Sequence, residues 1–192
     1  EKAKLGDPAG IDLVALFGIA NTYQQLGNFR AGFGVYDYLE YAYPETKHRA
    51  DILFGAFQCA AAIGEDETAV AFGDDLLSEF PDYENRDKAI GLFVTKLFFA
   101  GDYEQALQRA MEMRSDVKEG SKEKEIVDFV IPGSLFYLGR YAESIPELTT
   151  FIAEYPNSPY IETVRRLDGL GSVIEMDWAS AGTKLDSFLA DY

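Results

Sequence analysis

A repeat with a period of about 37 residues constrains the fold of this chain more than any other feature. A glycine in a short polar or aromatic context recurs at Gly27, Gly64, Gly101 and Gly139, at intervals of 37, 37 and 38 residues. One further step of 37 reaches Met176, where no glycine stands. The period predicts a chain built from repeated helical or strand units that stack on one another.

A second marker keeps the same phase as the glycines. Pro44, Pro81 and Pro156 each follow a marker glycine by 17 residues, and each is preceded by tyrosine or phenylalanine. Because the residue before a proline avoids the helical region, the aromatic–proline pair predicts the end of a helix. Two markers at one phase make chance a poor explanation of the repeat.

The segments between the markers have helical periodicity. Glycine accepts the left-handed backbone of a tight turn, and the Asn or Asp that follows it in some units caps the next helix. Each unit is therefore predicted to be a helix hairpin that buries its apolar face against its neighbours, which gives an all-α fold, an α-solenoid of stacked antiparallel hairpins. In the first unit the apolar stripes are Leu16, Ile19, Ala20 and Tyr23, then Phe29, Phe33, Tyr36 and Leu39.

This pattern resembles the tetratricopeptide repeat (TPR) family, in a bacterial type with longer units, over nearly the whole chain. The resemblance implies a right-handed superhelix and a single array over 1–192. It places the extra residues between each proline and the next glycine, so the first helix of each hairpin, or the loop before it, should be longer than usual. The family slots of the first unit fall on Leu16, Ile19, Ala20, Tyr23, Phe29, Gly32 and Pro44. The predicted units are about 13–49, 50–86, 87–124, 125–161 and 162–192, the last of them clipped.

Two stretches depart from the repeat. Residues 115–124 replace the aromatic–proline ending of the third unit with the longest polar run in the chain. We interpret the run as a solvated loop between units, with a hinge or docking strip as the alternative. Pro132 and Gly133 fall inside the first helix of the fourth unit, so we expect a kink there and the least regular unit, while Pro146 lies early in the next helix.

The composition excludes several classes of function. The chain has 192 residues, a net charge of −16, one His and one Cys. Nucleic-acid binding needs a basic face, so we expect no nucleic-acid partner. One Cys excludes an internal disulfide framework, and one His with one Cys excludes the usual zinc ligand sets. No apolar run approaches the ~18 residues of a membrane span. The acids are predicted to lie at helix turns and on second helices, as a solubilising outer surface.

Tests for catalytic chemistry find no constellation. Cys59 lies mid-helix on an Ala-rich face and is interpreted as a packing residue. His48 and Asp51 have the i, i+3 spacing of metal ligands, but two ligands do not make a site. Gly169 and Gly171 lack the third glycine and the preceding strand of a dinucleotide fingerprint. We therefore predict a protein that is not an enzyme and has no cofactor, no catalytic residues and no metal.

The resemblance also implies a binding surface, because first helices line a groove in this family. The amides and aromatics at those positions favour an extended peptide or a partner helix. Phe98 and Phe136 serve equally well as core between repeats. The groove positions carried over are Phe17, Asn21, Gln24, Gln25, Asp51, Phe54, Gln58, Lys88, Thr95, Phe98, Phe99, Phe129, Phe136, Tyr137 and Arg166.

The co-chaperone members of the family hold a C-terminal carboxylate with a clamp of Lys, Asn, Asn, Lys and Arg. Only two of the five clamp slots match here, so we predict no useful affinity for heat-shock chaperone tails. The slots are occupied by Phe17, Asn21, Gly55, Lys88 and Leu92.

Three functions remain open from the sequence. The first is a non-enzymatic scaffold that binds a protein or peptide in its groove. The second is the repeat region of a larger enzyme or envelope-assembly complex, which a chain without an initial Met permits. The third is a homo-oligomer formed through the array ends. A Tyr-Pro-x-Ser rhythm at 155–158 resembles bacterial envelope members and favours the periplasm, with the cytoplasm also open.

Overall fold

The computed structural model describes residues 11–191, in which ten α-helices occur and no strand. Most of the predicted leader before residue 13, and Tyr192 at the end of the predicted fifth unit, lie outside the described residues. The all-α prediction is confirmed. The helices are α1 (Ile11–Gln25), α2 (Phe29–Ala42), α3 (Arg49–Ile63), α4 (Asp66–Glu79), α5 (Arg86–Phe99), α6 (Tyr103–Met113), α7 (Lys122–Tyr137), α8 (Tyr141–Glu154), α9 (Ile161–Ile174) and α10 (Trp178–Asp191).

Each marker glycine forms the turn between the two helices of a hairpin, as predicted. The four glycines have φ between +74° and +82°, the left-handed region that glycine adopts without steric cost. Asn28 and Asp102 accept hydrogen bonds from backbone N–H groups three residues ahead, so they cap the second helix. Met176 occupies the fifth turn with φ +60°, a strained value for a residue with a side chain.

The aromatic–proline pairs end second helices, also as predicted. Tyr43, Phe80 and Tyr155 are the first residues after α2, α4 and α8. A six-residue loop then leads to the next first helix, at 43–48, 80–85 and 155–160. This loop is one of the two places, with the first helix that follows it, where the sequence places the extra residues of the longer repeat.

The chain divides into two compact units, and unit 1 ends at Glu84. Within it α1 packs on α2 and α3, and α3 packs on α2 and α4. Small residues allow close approach, since Gly32 of α2 lies against the Cys59 sulfur of α3. The buried core cluster consists of Ala20, Tyr36, Leu39, Ile52, Ala56 and Cys59.

Unit 2 begins at Asn85 and contains α5 to α10. Its central element is α7, which packs on α5, α6, α8 and α9 and is buried continuously over 127–135. Pro132 does not end or divide this helix, although it lies inside it. The carbonyl of Pro132 accepts a hydrogen bond of 2.8 Å from the Ser144 hydroxyl of α8. The division into five repeat units remains a prediction.

Most of the polar run of 115–124 is exposed to solvent, as predicted from its composition, but Val117 and Lys124 within it are buried. Val117 is only 3% exposed, and the Lys118 N–H donates to Asp87 at 3.2 Å. Arg86 donates to Asp116 at 3.1 Å. Lys124 belongs to α7 and is buried. The loop is therefore anchored to the start of α5. None of the described helices is long and apolar enough to cross a membrane.

Candidate functional site

In unit 1 the predicted groove amides form one hydrogen-bonded network with a tyrosine from a second helix. The Tyr36 hydroxyl lies 2.6 Å from Asn21 Oδ1 and 3.0 Å from Gln24 Oε1. Gln24 Nε2 in turn donates to Gln58 Oε1 at 2.7 Å, which joins α1 to α3. Burial, with the charges of Cys59 and Asp51, raises the pKa of Tyr36 to about 12. The hydroxyl therefore stays protonated and available as a donor.

Tyr36 reaches this network because a glycine lies beneath its ring. A Cβ atom built on Gly55 of α3 would stand 2.3 Å from Cζ of Tyr36. Any larger residue would displace the ring, which is 1% exposed. Gly55, which the family resemblance aligns with a clamp position of the co-chaperones, is therefore the residue on which the Tyr36 ring packs.

The remaining groove positions of unit 1 form an aromatic and acidic edge. Phe54 packs edge-on against Tyr83 with ring centroids 5.7 Å apart, and the Tyr83 hydroxyl donates to Asp51 at 3.1 Å. Phe17 stacks on His48 at 6.2 Å. Gln25, also predicted to line the groove, is exposed.

In unit 2 the corresponding positions gather around one buried ring, Phe98. It is 6% exposed, so the choice left open by the sequence is settled in favour of core. Its centroid lies 5.4–5.8 Å from those of Phe99, Tyr103, Phe129 and Tyr137, all in edge-on contact. Edge-on contacts at this distance are favourable for aromatic pairs. The ring cluster is therefore a rigid platform.

Two members of that cluster face solvent. Phe99 is 72% exposed and Tyr137 is 47% exposed. The ring of Tyr137 also stacks on Tyr103 of α6, with centroids 4.7 Å apart. Large aromatic side chains fixed by neighbours but open to solvent are typical of recognition surfaces.

The prediction that Phe129 lies exposed in the groove is wrong. It is 5% exposed, and its ring stacks on Tyr160 at 4.3 Å and meets Phe151 edge-on at 6.3 Å. Tyr160 comes from the loop before α9, and this loop closes over the groove position. Phe129 therefore belongs to the core.

The other predicted positions of unit 2 differ in their environment. Lys88 and Arg166 are exposed, and Lys88 donates to the Asn85 side chain at 2.9 Å. Thr95 is partly buried, and its hydroxyl donates to the Gly91 carbonyl at 2.6 Å. Phe136 is partly buried against Tyr137 and Tyr141.

Sequence reasoning missed the tyrosines that complete both surfaces. Tyr36 and Tyr103 lie on second helices and Tyr160 lies in a loop, whereas the family comparison considers first helices. A signal for one of them was present: Tyr103 occupies the aromatic slot two residues after a turn glycine, as Phe29 and Tyr141 do.

Two buried aspartates also lie on first helices of unit 2. Asp128 accepts from Arg114 at 2.7 Å, from Lys124 at 3.1 Å and from the Tyr155 hydroxyl at 2.7 Å. Desolvation, with the hydrogen bond to Asp128, raises the pKa of Tyr155. These contacts pin α7 to its neighbours and leave the carboxylate satisfied.

Asp168 pairs with Lys184 of α10 at 2.7 Å. Burial raises the pKa of this carboxyl above its ordinary value, against the lowering effect of the Lys184 ammonium. Both residues line a cavity of about 290 Å³ between α8, α9 and α10. We read the pair as structural, because each charge is neutralised by the other.

The candidate catalytic and metal residues do not come together. Cys59 is fully buried, and burial raises the pKa of its thiol to about 11, so it is an inert packing residue as predicted. His48 Nδ1 lies 4.0 Å from Asp51, which also accepts from Tyr83. Within residues 11–191 no group of three or more His, Cys, Asp or Glu side chains is placed to hold a metal.

Comparison with known proteins bears on the fold. No family model and no curated protein sequence matches the chain. Solved structures do match. MamA has 14% sequence identity and a TM-score of 0.75, covering 95% of this chain and 92% of its own. YrrB, described as a TPR protein with an unusual peptide-binding site, has 14% identity and a TM-score of 0.73, covering 91% and 84%.

A tetratricopeptide repeat protein from Parabacteroides merdae is similar over 97% of this chain and 67% of its own, at 16% identity and a TM-score of 0.65. Identities this low carry the fold and not the binding residues. The similarity nevertheless extends over nearly all of the helices and agrees with the marker glycines and prolines. The chain therefore has the tetratricopeptide repeat fold.

Proposed function

We propose that this protein is a non-enzymatic interaction scaffold, and that the first helices of unit 2 bind an extended peptide or a partner helix. The TPR fold supports the scaffold role, since proteins of this fold include YrrB, described as having a peptide-binding site. The inert Cys59 and the dispersed acids of the described residues agree with a role in binding.

The exposure of Phe99 and Tyr137 is the observation that carries the proposal. Both rings contact the buried Phe98, which restricts their side chains and lowers the entropy lost when a ligand covers them. Rigid aromatic side chains of this kind dominate the energetics of many interfaces. They would act as anchors for apolar side chains of the ligand.

Unit 1 offers a weaker surface. Its amides are already bonded, because Gln24, Gln58 and Asn21 share the network of Tyr36. A peptide backbone that recruits them must replace those hydrogen bonds, so the net gain is small. We therefore assign the anchoring role to unit 2 and leave unit 1 a secondary contact.

The test starts from peptides selected for binding to the chain from a random display library. The tightest peptide is labelled, and its Kd is measured by fluorescence anisotropy. In the double variant Phe99→Ala/Tyr137→Ala we expect at least a tenfold rise in Kd, since one aromatic hot spot contributes about 2 kcal/mol or more. The matched control is Met111→Ala, which removes an exposed apolar side chain from the second helix α6 and should leave the Kd unchanged.

Circular dichroism checks that the double variant keeps its helix content, since both side chains touch the Phe98 cluster. Asn21→Ala tests the assignment to unit 2, and we expect less than a threefold change in Kd. If the peptide bound the double variant with the same Kd as the parent chain, the first helices of unit 2 would not be the binding site. A large loss in Asn21→Ala alone would move the site to unit 1.

A further inference from the structure

One face of α1 is an apolar surface that none of the other described helices covers. It lines a cavity of about 530 Å³ open to solvent. Ile19 is 45% exposed and Leu26 is 77% exposed. No residue of this face carries a charge. The face consists of Ala15, Gly18, Ile19, Thr22 and Tyr23 of α1 and of Leu26, the first residue after the helix.

The repeat shows what this face is built to contact. Each of its residues lies 37 positions before a residue of α3, and in unit 1 the α3 face packs on α2. Within that face Ala56, Cys59 and Ala60 are fully buried. The equivalent residues of α3 are Ile52, Gly55, Ala56, Cys59, Ala60 and Ile63. The α1 face is thus the same kind of contact surface, with no other described helix packed on it.

The packing on α3 specifies the chemistry of that partner. Gly32 lies against Cys59, the ring of Tyr36 lies on Gly55, and Leu39 completes the core. The covering helix therefore presents a small residue, a large apolar residue four positions later and another three positions after that. On α1 the equivalent slot is Gly18, which has no atom within 4 Å of an ideal Cβ.

The chain carries a helix of this description in α10. Ala181, Leu185 and Phe188 hold the repeat positions of Gly32, Tyr36 and Leu39. Ala181 is buried and Leu185 packs on Gly169 of α9, while Leu185 and Phe188 remain partly exposed. Leu189 beside them is 71% exposed. The charge of the chain is −16, so copies repel one another in general, and a contact is favoured where one of the two surfaces carries no charge, as the α1 face does.

We propose that the α1 face binds α10 of a second copy of this chain, head to tail. The contact repeats between chains the packing that α2 and α3 make within one. Because the two contributing surfaces differ, the interaction is heterologous and leaves one α1 face and one α10 free in every dimer. Assembly therefore continues with concentration. The inference is independent of the peptide-binding surface of unit 2.

The 192-residue chain tests this by sedimentation equilibrium over a wide concentration range. We expect an average mass that rises with concentration beyond that of a dimer. Ile19→Glu on α1 and Leu189→Glu on α10 each place a charge in the contact and should sediment as monomers. The control Met111→Glu places a charge on an exposed apolar position of α6 and should assemble like the parent.

Mixing the two monomeric variants distinguishes the arrangement. The Ile19→Glu chain keeps an intact α10, and the Leu189→Glu chain keeps an intact α1, so an equimolar mixture should form a one-to-one dimer and stop there. A Leu189→Glu chain that dimerises alone would overturn the proposal in favour of symmetric α1 pairing. A parent chain that stays monomeric throughout would also overturn it and leave the face to a different protein.

Discussion

Both compact units seat an aromatic ring on a glycine of a first helix, but they surround that ring differently. In unit 1 the ring of Tyr36 lies on Gly55, and its hydroxyl bonds to Asn21. In unit 2 the ring of Phe98 lies on Gly133, and other aromatic rings surround it. Tyr36 lies on a second helix (α2) and Phe98 on a first helix (α5). The Tyr36 hydroxyl joins a polar network, whereas Phe98 contacts other aromatic rings.

The difference extends to how the units satisfy buried polar groups. In unit 1 the amide side chains around the buried Tyr36 are neutral, whereas unit 2 buries two carboxylates, Asp128 and Asp168. Neutral hydrogen bonds contribute modestly to stability, while a buried charge is costly once its partner is removed. Removal of Asp128, whose partner Lys124 is also buried, should therefore have the largest effect.

The largest loss of stability is expected for Asp128→Asn. The change leaves Lys124, which is 7% exposed, without its buried counter-ion, and its remaining partner Glu119 is mostly exposed. Removal of one partner from a buried pair costs about 4 kcal/mol. Urea denaturation measures the free energy of unfolding. The control Asp116→Asn breaks an exposed pair with Arg86 and should cost at most about 1 kcal/mol. Equal losses in the two variants would contradict a special role for Asp128.

Gly55→Ala should be the most damaging change in unit 1. The added methyl group would stand 2.3 Å from the Tyr36 ring, and the buried ring has no space to move. Overpacking of this kind costs about 3 kcal/mol. The control is Gly18→Ala at the same repeat position of α1, where the Cβ meets nothing within 4 Å. At low protein concentration that change should stabilise by about 1 kcal/mol through helix propensity, and a loss there would show that the glycine effect is not steric.

Tyr36→Phe makes the unit 1 ring resemble that of unit 2, and a smaller loss is expected. The hydroxyl has one proton, so it donates to Asn21 or to Gln24 but not to both at once. Loss of that bond in a partly buried site costs about 1.5 kcal/mol. The same urea titration measures it, with Tyr38→Phe on the exposed side of α2 as the control. A loss as large as that of Gly55→Ala would mean that the hydroxyl, and not the ring, holds α1 to α3.

The sequence predicts the parts of this fold that depend on single residues. The turn glycines act through their own φ, and the prolines through the residue before them, so hairpins and helix ends follow from local chemistry. Burial depends on which other helices and loops arrive. Phe129 looks exposed until the loop carrying Tyr160 closes over it. Asp128 becomes a buried carboxylate with several partners because Arg114 after α6 and Tyr155 after α8 both contact it. None of these contacts is visible in the repeat pattern.

Met176→Gly tests the turn chemistry at the one marker position where glycine is missing. Its φ of +60° carries strain of about 1 kcal/mol, which glycine removes, although the unfolded chain then gains entropy. We expect a net stabilisation of up to about 1 kcal/mol, measured as a rise in Tm. The reciprocal control Gly139→Ala, at φ +76°, should lose a similar amount. A lower Tm for Met176→Gly would contradict this account.

Asp168→Asn is expected to change the free energy of unfolding at neutral pH the least of these variants, in contrast to Asp128→Asn. Burial raises the pKa of Asp168, so the folded state binds its proton more tightly than the unfolded state does. The stability that this group contributes is therefore full below its unfolded pKa of 3.8 and declines as the pH rises through the raised value. Asparagine does not titrate and can still accept the hydrogen bond from Lys184. We expect the free energy of unfolding of the variant to lie within about 1 kcal/mol of that of the parent at pH 7. Urea denaturation at a series of pH values from about 3 upwards should show the variant becoming more stable relative to the parent. A pH-independent difference, or a loss as large as that of Asp128→Asn, would show that the ion pair and not the burial cost controls this site.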